Sequence, residues 1–273
     1  MGLAHLSQAM RRDKSSGLPL PPVWKTLADA SAVFRLGQLV VVGSGPGVGK
    51  SALALNLAIK SGARTIYFSA DSGPGTQIAR AAALVLGRSV SETQAALDKK
   101  YYFDEELAEI RRIRWEFDAG PTLDAIDQSV TAYAYLHGEY PELIVCDNLM
   151  NIVADDDSEG FKAMENILLF LLELARTTGA CIVVLAHLTG EYEDGNIPAP
   201  LSGLRGKISK VPEMILTLYR EEDPLGGESL GVAIVKNRGG LANAAGNMTV
   251  SLKMDLDRMV IEDDPMQFVR SAA

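Results

Sequence analysis

The chain has 273 residues, 47% of them hydrophobic and 22% charged, which suits one large globular domain with small appendages. No apolar run is long enough to span a bilayer and the N-terminus lacks a secretory apolar core, so membrane and secreted classes are set aside in favour of the cytoplasm. The net charge of −9 argues against a surface coated for nucleic acid, although a local basic strip such as the lining of a ring is compatible with it.

Residues 1–22 read as an arm and linker. Ala4 to Arg12 can form a short amphipathic helix, and SSGLPLPP (Ser15 to Pro22) is a linker by composition. The arm is either a tail or a helix that docks on a neighbouring subunit. A first strand is expected over Gln38 to Val42, then a glycine-rich turn, GSGPGVGKS (Gly43 to Ser51), then an apolar-periodic helix from Ala52 to Ile59. A second strand, Arg64 to Ser69, leads to Asp71, a Gly/Pro turn and a helix from about Thr76 to Leu86. Residues 88–120 are charged and poorly patterned, so helical or excursion segments with solvated faces are expected there. A helix over Thr122 to His137 precedes the strand Leu143 to Asn148 (LIVCDN). A long amphipathic helix, roughly Ser158 to Thr178, precedes the strand Cys181 to Ala186, which ends at His187.

The remainder alternates like antiparallel strands: Met214 to Tyr219, Leu230 to Lys236, Met248 to Met254 and Met259 to Glu262. The last residues, 265–273, look like a frayed tail. Both cysteines, Cys146 and Cys181, fall in apolar strand-like runs and are expected to be buried free thiols. The order implies an α/β fold: a mainly parallel sheet with helices on both faces and an antiparallel C-terminal extension. Sites in such sheets lie at the carboxyl ends of the parallel strands, where the glycine-rich turn, Asp71, Asp147 and His187 all fall.

The strand, turn and helix around GSGPGVGKS are what a phosphate-binding P-loop requires. Glycines let backbone N–H groups close around phosphates, and the helix start adds partial positive charge. Ser44, Gly45, Pro46, Gly47, Val48, Gly49, Lys50, Ser51 and Ala52 are the candidate nucleotide-binding residues. Lys50 is placed to reach the β and γ phosphates, and the Ser51 hydroxyl to ligate Mg²⁺. The strict G-x-x-x-x-G-K-[ST] pattern has glycine where this chain has Ser44. Asp147, at the end of an apolar strand downstream, is the candidate Walker B aspartate and second Mg²⁺ ligand.

In this order the motifs, from about Gln38 to Leu252, resemble the RecA-like P-loop NTPase core of the DnaB/RepA group of hexameric replicative helicases. GPGVGKSALALN is similar to their P-loop, which also often lacks the first glycine. IYFSAD ends in Asp71 where the family has a catalytic glutamate, and Arg80 follows at the family's nine-residue spacing. LIVCDN resembles the Walker B strand. LARTTGACIVVLAHL resembles the segment whose last polar residue senses the γ-phosphate, here His187 as in RepA-like members. LSGLRGKISKVPEMILTLYRE resembles the motif carrying a DNA-facing loop, which makes Arg205, Lys207 and Lys210 candidate DNA contacts or an ordinary solvated face. VAIVKNRGG resembles the family's K-x-R, so Lys236 and Arg238 are expected to reach the ATP of an adjacent subunit.

The resemblance implies residues 23–264 as a RecA-like ATPase domain that binds ATP and Mg²⁺, assembles as a homo-oligomer (a hexameric ring) and acts on single-stranded DNA in phage or plasmid DNA replication. Two departures stand out. Asp71 replaces the family glutamate and so stands one methylene, roughly 1.5 Å, further from an attacking water, and a displacement near 1 Å can cost on the order of 100-fold in rate. The DnaB N-terminal domain has no counterpart in this sequence. Two other readings compete: a RecA-like single-strand-binding, annealing or recombination-mediator ATPase, and a regulatory or loading ATPase acting on a protein partner, which the acidic charge would suit.

Overall fold

A computed structural model describes residues 17–154, 160–204, 206–223, 227–264 and 270–271. In chain order these form α1 (Lys25–Asp29), β1 (Leu39–Ser44), α2 (Lys50–Lys60), β2 (Thr65–Ser69), α3 (Pro74–Leu86), α4 (Val90–Asp98), β3 (Ile113–Glu116), α5 (Leu123–His137), β4 (Leu143–Asp147), α6 (Phe161–Thr178), β5 (Cys181–His187), β6 (Met214–Asp223), β7 (Gly227–Asn237), β8 (Met248–Asp255), β9 (Val260–Asp263) and β10 (Arg270–Ser271).

β1 is buried along its whole length, which requires cover on both faces. Its side chains alternate between two cores. Val40 and Val42 join Leu53 and Leu57 of α2 in one, while Leu39 and Val41 join Ile126 of α5 and Leu168 and Leu171 of α6 in the other. The helices are bounded by local chemistry. α3 starts at Pro74 and stops at the left-handed Gly87. A capping box of Ser89 and Glu92 opens α4, and Thr122 caps α5.

The strands lie in the order β10-β8-β7-β6-β1-β5-β4-β2-β3, with β9 also paired to β8. From β6 across to β3 all neighbours are parallel, and β6, β7 and β8 continue antiparallel. The mixed sheet has the expected form: parallel core, helices on both faces and an antiparallel extension. Cys146 and Cys181 are buried and free. Among the described residues no helix is long and apolar enough to cross a membrane.

Three segments depart from the expectations. Residues 88–120 hold the helix α4, one of the forms expected there, and also an unexpected strand. That strand, β3, is a parallel edge strand beside β2 whose Trp115 stacks on the buried Tyr67 at 4.6 Å. Four residues with two charges are too short for a period to show. Arg112 here donates to the Ala58 and Ile59 carbonyls, closing the C-terminal end of α2. The composition marks Ser15 to Pro22 as linker, yet Gly17 and Leu20 donate to Leu36 and Phe34 carbonyls at 2.9 Å, and Leu20 is buried. At the other end, Arg270–Ser271 pairs with Met248 and Thr249 of β8, so that part of the tail is a strand. The helix expected for the arm lies outside the described residues.

Candidate functional site

Sheet register places the site. Ser44 on β1 is level with His187 on β5, and Ser69 on β2 is level with Asp147 on β4. The strands run in the order β1, β5, β4, β2, so one carboxyl edge carries the P-loop, His187, Asp147 and the turn bearing Asp71 in sequence.

Ser44 explains the departure from the strict P-loop pattern. It is the last residue of a fully buried strand, and its hydroxyl donates to the Gly45 carbonyl at 2.8 Å. Its backbone is not among the positive-φ residues, so no glycine is needed there. The demanding positions come later. A Cβ on Gly45 would stand 2.0 Å from the Glu193 carbonyl oxygen, and Gly49 has φ +124°. The acidic loop that carries Glu191, Glu193 and Asp194 therefore packs directly over the P-loop. Arg220 on β6 joins the two, its backbone N–H donating to the Gly195 carbonyl and its guanidinium to the Gly47 carbonyl, both at 2.7 Å.

Lys50, at the start of α2, is only 7% exposed. Burial pulls its pKa down, and the charges of Asp147 and Asp71 pull it back up. Asp147 is 3% exposed, and its Oδ2 accepts from the Tyr67 hydroxyl at 3.2 Å. Burial raises its pKa, opposed by hydrogen bonds from Ser51 and Tyr67 and by the charge of Lys50. Tyr67 is pushed well above the usual phenol range by burial and by Asp147, so it stays a neutral donor. Asp147 Oδ1 is buried without a hydrogen-bond partner. An orphaned carboxylate oxygen beside a serine hydroxyl is a hard, all-oxygen donor pair, which fits Mg²⁺ completed by phosphate oxygens and water. Among the described residues no cluster of three or more His, Cys, Asp or Glu offers a separate metal site.

Asp71 lies on the turn after β2. That turn is held by Ser69, whose hydroxyl donates to the Ser72 carbonyl at 2.7 Å and accepts from the Gln77 amide at 2.8 Å. The Asp71 carboxylate accepts from the Asn148 amide. Arg80, on α3, donates to the Ser72 hydroxyl at 3.2 Å. It lines a pocket of about 380 Å³ together with Gly47, Lys50, Ser51, and Leu256 and Met259 from the β8–β9 turn. His187 is half-buried. Burial and Lys50 lower its pKa, against Asp71 and Asp147, which favours the neutral ring.

Lys236 and Arg238 stand apart from all of these. Met214 pairs with both Val40 and Asn237, so the end of β7 is level with the start of β1, roughly 13 Å along the strands from Ser44. Lys236 Nζ donates to the Ser209 and Lys210 carbonyls at 2.7 and 2.9 Å, and Arg238 donates to the Lys210 carbonyl at 3.0 Å. Burial and the neighbouring Arg238 lower the Lys236 pKa, with Glu213 opposing. Of the three candidate DNA contacts, Lys210 is exposed, Arg205 lies outside the described residues, and so does the Lys207 side chain. The sequence pattern does not single out Tyr67, Asn148 or Arg220 as site residues. The Asx-Asx pair at the end of LIVCDN is a local signal for Asn148, but Tyr67 and Arg220 have none.

A glycine-rich turn between a buried strand and a helix, with a buried aspartate two strands away, defines a P-loop protein of RecA-like fold. Residues 20–258 match the DnaB-like helicase C-terminal domain, and the chain belongs to that family. It is 44% identical to the gene 65 protein of Mycobacterium phage L5 over 255 residues, covering 91% of this chain and 94% of that protein. It is 26% identical to a probable plasmid replicative DNA helicase of Chlamydia trachomatis over 81% of this chain, and spans 50% of that relative's length. Among solved structures, the fold superposes on that of a DnaB-like replicative helicase with a TM-score of 0.73 at 16% identity, covering 95% of this chain and 65% of that one.

Proposed function

We propose that this chain is a Mg²⁺-dependent ATPase that assembles as a ring and works on single-stranded DNA as a replicative-type helicase. The observation that carries the reading is the division of charge between the two ends of the sheet. A buried lysine and carboxylates meet at the P-loop edge, while a lysine and an arginine stand at the opposite edge, too far to serve the same nucleotide. Family membership and the name of the chlamydial relative support the helicase activity.

In this reading the P-loop amides and Lys50 bind the β and γ phosphates. Ser51 and Asp147 would hold Mg²⁺, which when bound neutralises charge on the β and γ oxygens. Asp71 accepts the proton of the attacking water, and neutral His187 contacts the γ-phosphate. Arg80 adds positive charge along the same pocket. Lys236 and Arg238 act on the nucleotide of the adjacent subunit, where an arginine offsets charge that develops in the transition state. Arg205, Lys207 and Lys210 are the proposed contacts to DNA phosphates.

The test is ATP turnover with and without Mg²⁺ and oligo-dT, in wild type and Lys50→Ala, with particle imaging of the assembly. Hydrolysis that falls about 10³-fold in the variant, as expected for a lost phosphate clamp, supports the reading. Equal rates in the two proteins refute the nucleotide site. Directional ATP-dependent strand displacement distinguishes a helicase from an annealing or loading ATPase.

A further inference from the structure

Asn148 fills the gap between two groups that the proposed mechanism uses. It follows Asp147 at the end of β4 and is 3% exposed. Its Oδ1 accepts from the Met150 backbone N–H at 2.9 Å. That bond fixes which end of the carboxamide is oxygen, so the NH₂ group must face the other way. There it donates to Asp71 Oδ2 and stands 3.4 Å from His187 Nε2. The turn after β4 needs only the oxygen. Both amide hydrogens are therefore left for the nucleotide site.

Asp71 has reason to need a holder. It lies on an exposed turn that continues into Ser72 and Gly73. A free aspartate there would sample several rotamers. The Asn148 amide engages one carboxylate oxygen, Oδ2, and leaves Oδ1 open. A carboxamide suits this task because it donates without titrating and takes no proton from the base. The backbone is tied at the same point, where Ala70 N–H donates to the Asp147 carbonyl at 2.9 Å.

We propose that Asn148 is a positioning residue for hydrolysis: its amide fixes Asp71 Oδ2 so that Oδ1 faces the attacking water, and it offers its second N–H to His187 Nε2. This joins the proton acceptor and the γ-phosphate contact in one hydrogen-bonded unit, and it rests on the roles given to Asp71 and His187 above. In this chain the tether compensates for a base one methylene short.

The experiment measures kcat and KM for ATP, nucleotide binding and the melting temperature of the full chain. Asn148→Asp keeps the oxygen that accepts from Met150 but replaces the donor, and Asn148→Ser keeps a short hydroxyl that cannot reach Asp71. Both are expected to lose about 100-fold in kcat, the cost of a base misplaced by near 1 Å. In Asn148→Ser, which adds no charge beside the γ-phosphate, KM should stay within about threefold, because the P-loop and Lys50 contacts are unchanged. In an Asp71→Glu background, Asn148→Ser should cost less than about 10-fold, because the longer side chain reaches the water unaided. Wild-type kcat in both single variants overturns the proposal. So does an equal loss in the Asp71→Glu background, and so does loss of fold in both variants, which would assign Asn148 to the turn alone. Absence of Lys50-dependent hydrolysis in the wild type would instead refute the ATPase reading itself.

Discussion

The two ends of the central sheet treat charge in opposite ways. At the carboxyl edge of β1, β5, β4 and β2, Lys50 and Asp147 are both nearly buried and lie close enough to shift each other's proton affinity. Asp147 eases the burial of Lys50, while Ser51, Tyr67 and then Lys50 ease that of Asp147, yet Asp147 Oδ1 is left without a partner. At the opposite edge, Lys236 and Arg238 rest on the backbone carbonyls of Ser209 and Lys210. Neutral carbonyls orient these cations without neutralising them, and Glu213 offsets Lys236 only in part. In the proposed function, the first edge receives phosphates and a cation, and the second presents its positive charge to a neighbour's nucleotide.

Removing the far-edge cation is expected to have the largest effect. Arg238→Ala is expected to retain ATP binding and to lose on the order of 10³-fold or more in hydrolysis. The loss falls on rate rather than affinity because such an arginine acts mainly in the transition state. Mixed with Lys50→Ala, it should regain activity, since an intact P-loop then faces an intact arginine at some interfaces. Mixtures that stay inactive while subunits demonstrably exchange would show that the two edges never meet.

At the P-loop edge, Asp71→Asn should lower turnover by about 10²–10⁴-fold with ATP binding intact, the usual worth of a general base. Asp71→Glu should keep turnover and raise it, because the added methylene brings the carboxylate nearer the water. Full activity in the Asn variant would remove Asp71 from the chemistry.

The smallest functional effect is expected where both edges share a support. Leu171 of α6 is fully buried in one of the two cores. Leu171→Ala should cost about 2–5 kcal/mol in chemical denaturation. Nucleotide affinity at temperatures where the variant is folded should be unchanged. A selective loss at one edge would mean that the core under α6 tunes that edge and does not merely hold the sheet.

Local pattern was enough to determine the P-loop, the apolar strands ending in Asp147 and His187, and the amphipathic α6. Each is written within one strand or helix, as a period of two or 3.6 or a glycine-rich turn. The alternation of strand and helix also sufficed to place those strand ends on one edge, since right-handed crossovers leave few alternatives. Only the tertiary structure decided the rest. The edge strand β3 is too short and too charged to announce itself. Leu20 looked like linker until Phe34 and Leu36 supplied hydrogen-bond partners for its segment. Arg220 meets Gly47 from 173 residues away, and Asn148 meets Asp71 from 77. Such contacts leave no local period, because sheet order and register decide which strand ends become neighbours, and a polar side chain on a turn can read equally well as a cap or as part of a site. The same holds for Lys236 and Arg238: the K-x-R spacing is local, but its distance from the P-loop follows from β7 running antiparallel beside β6.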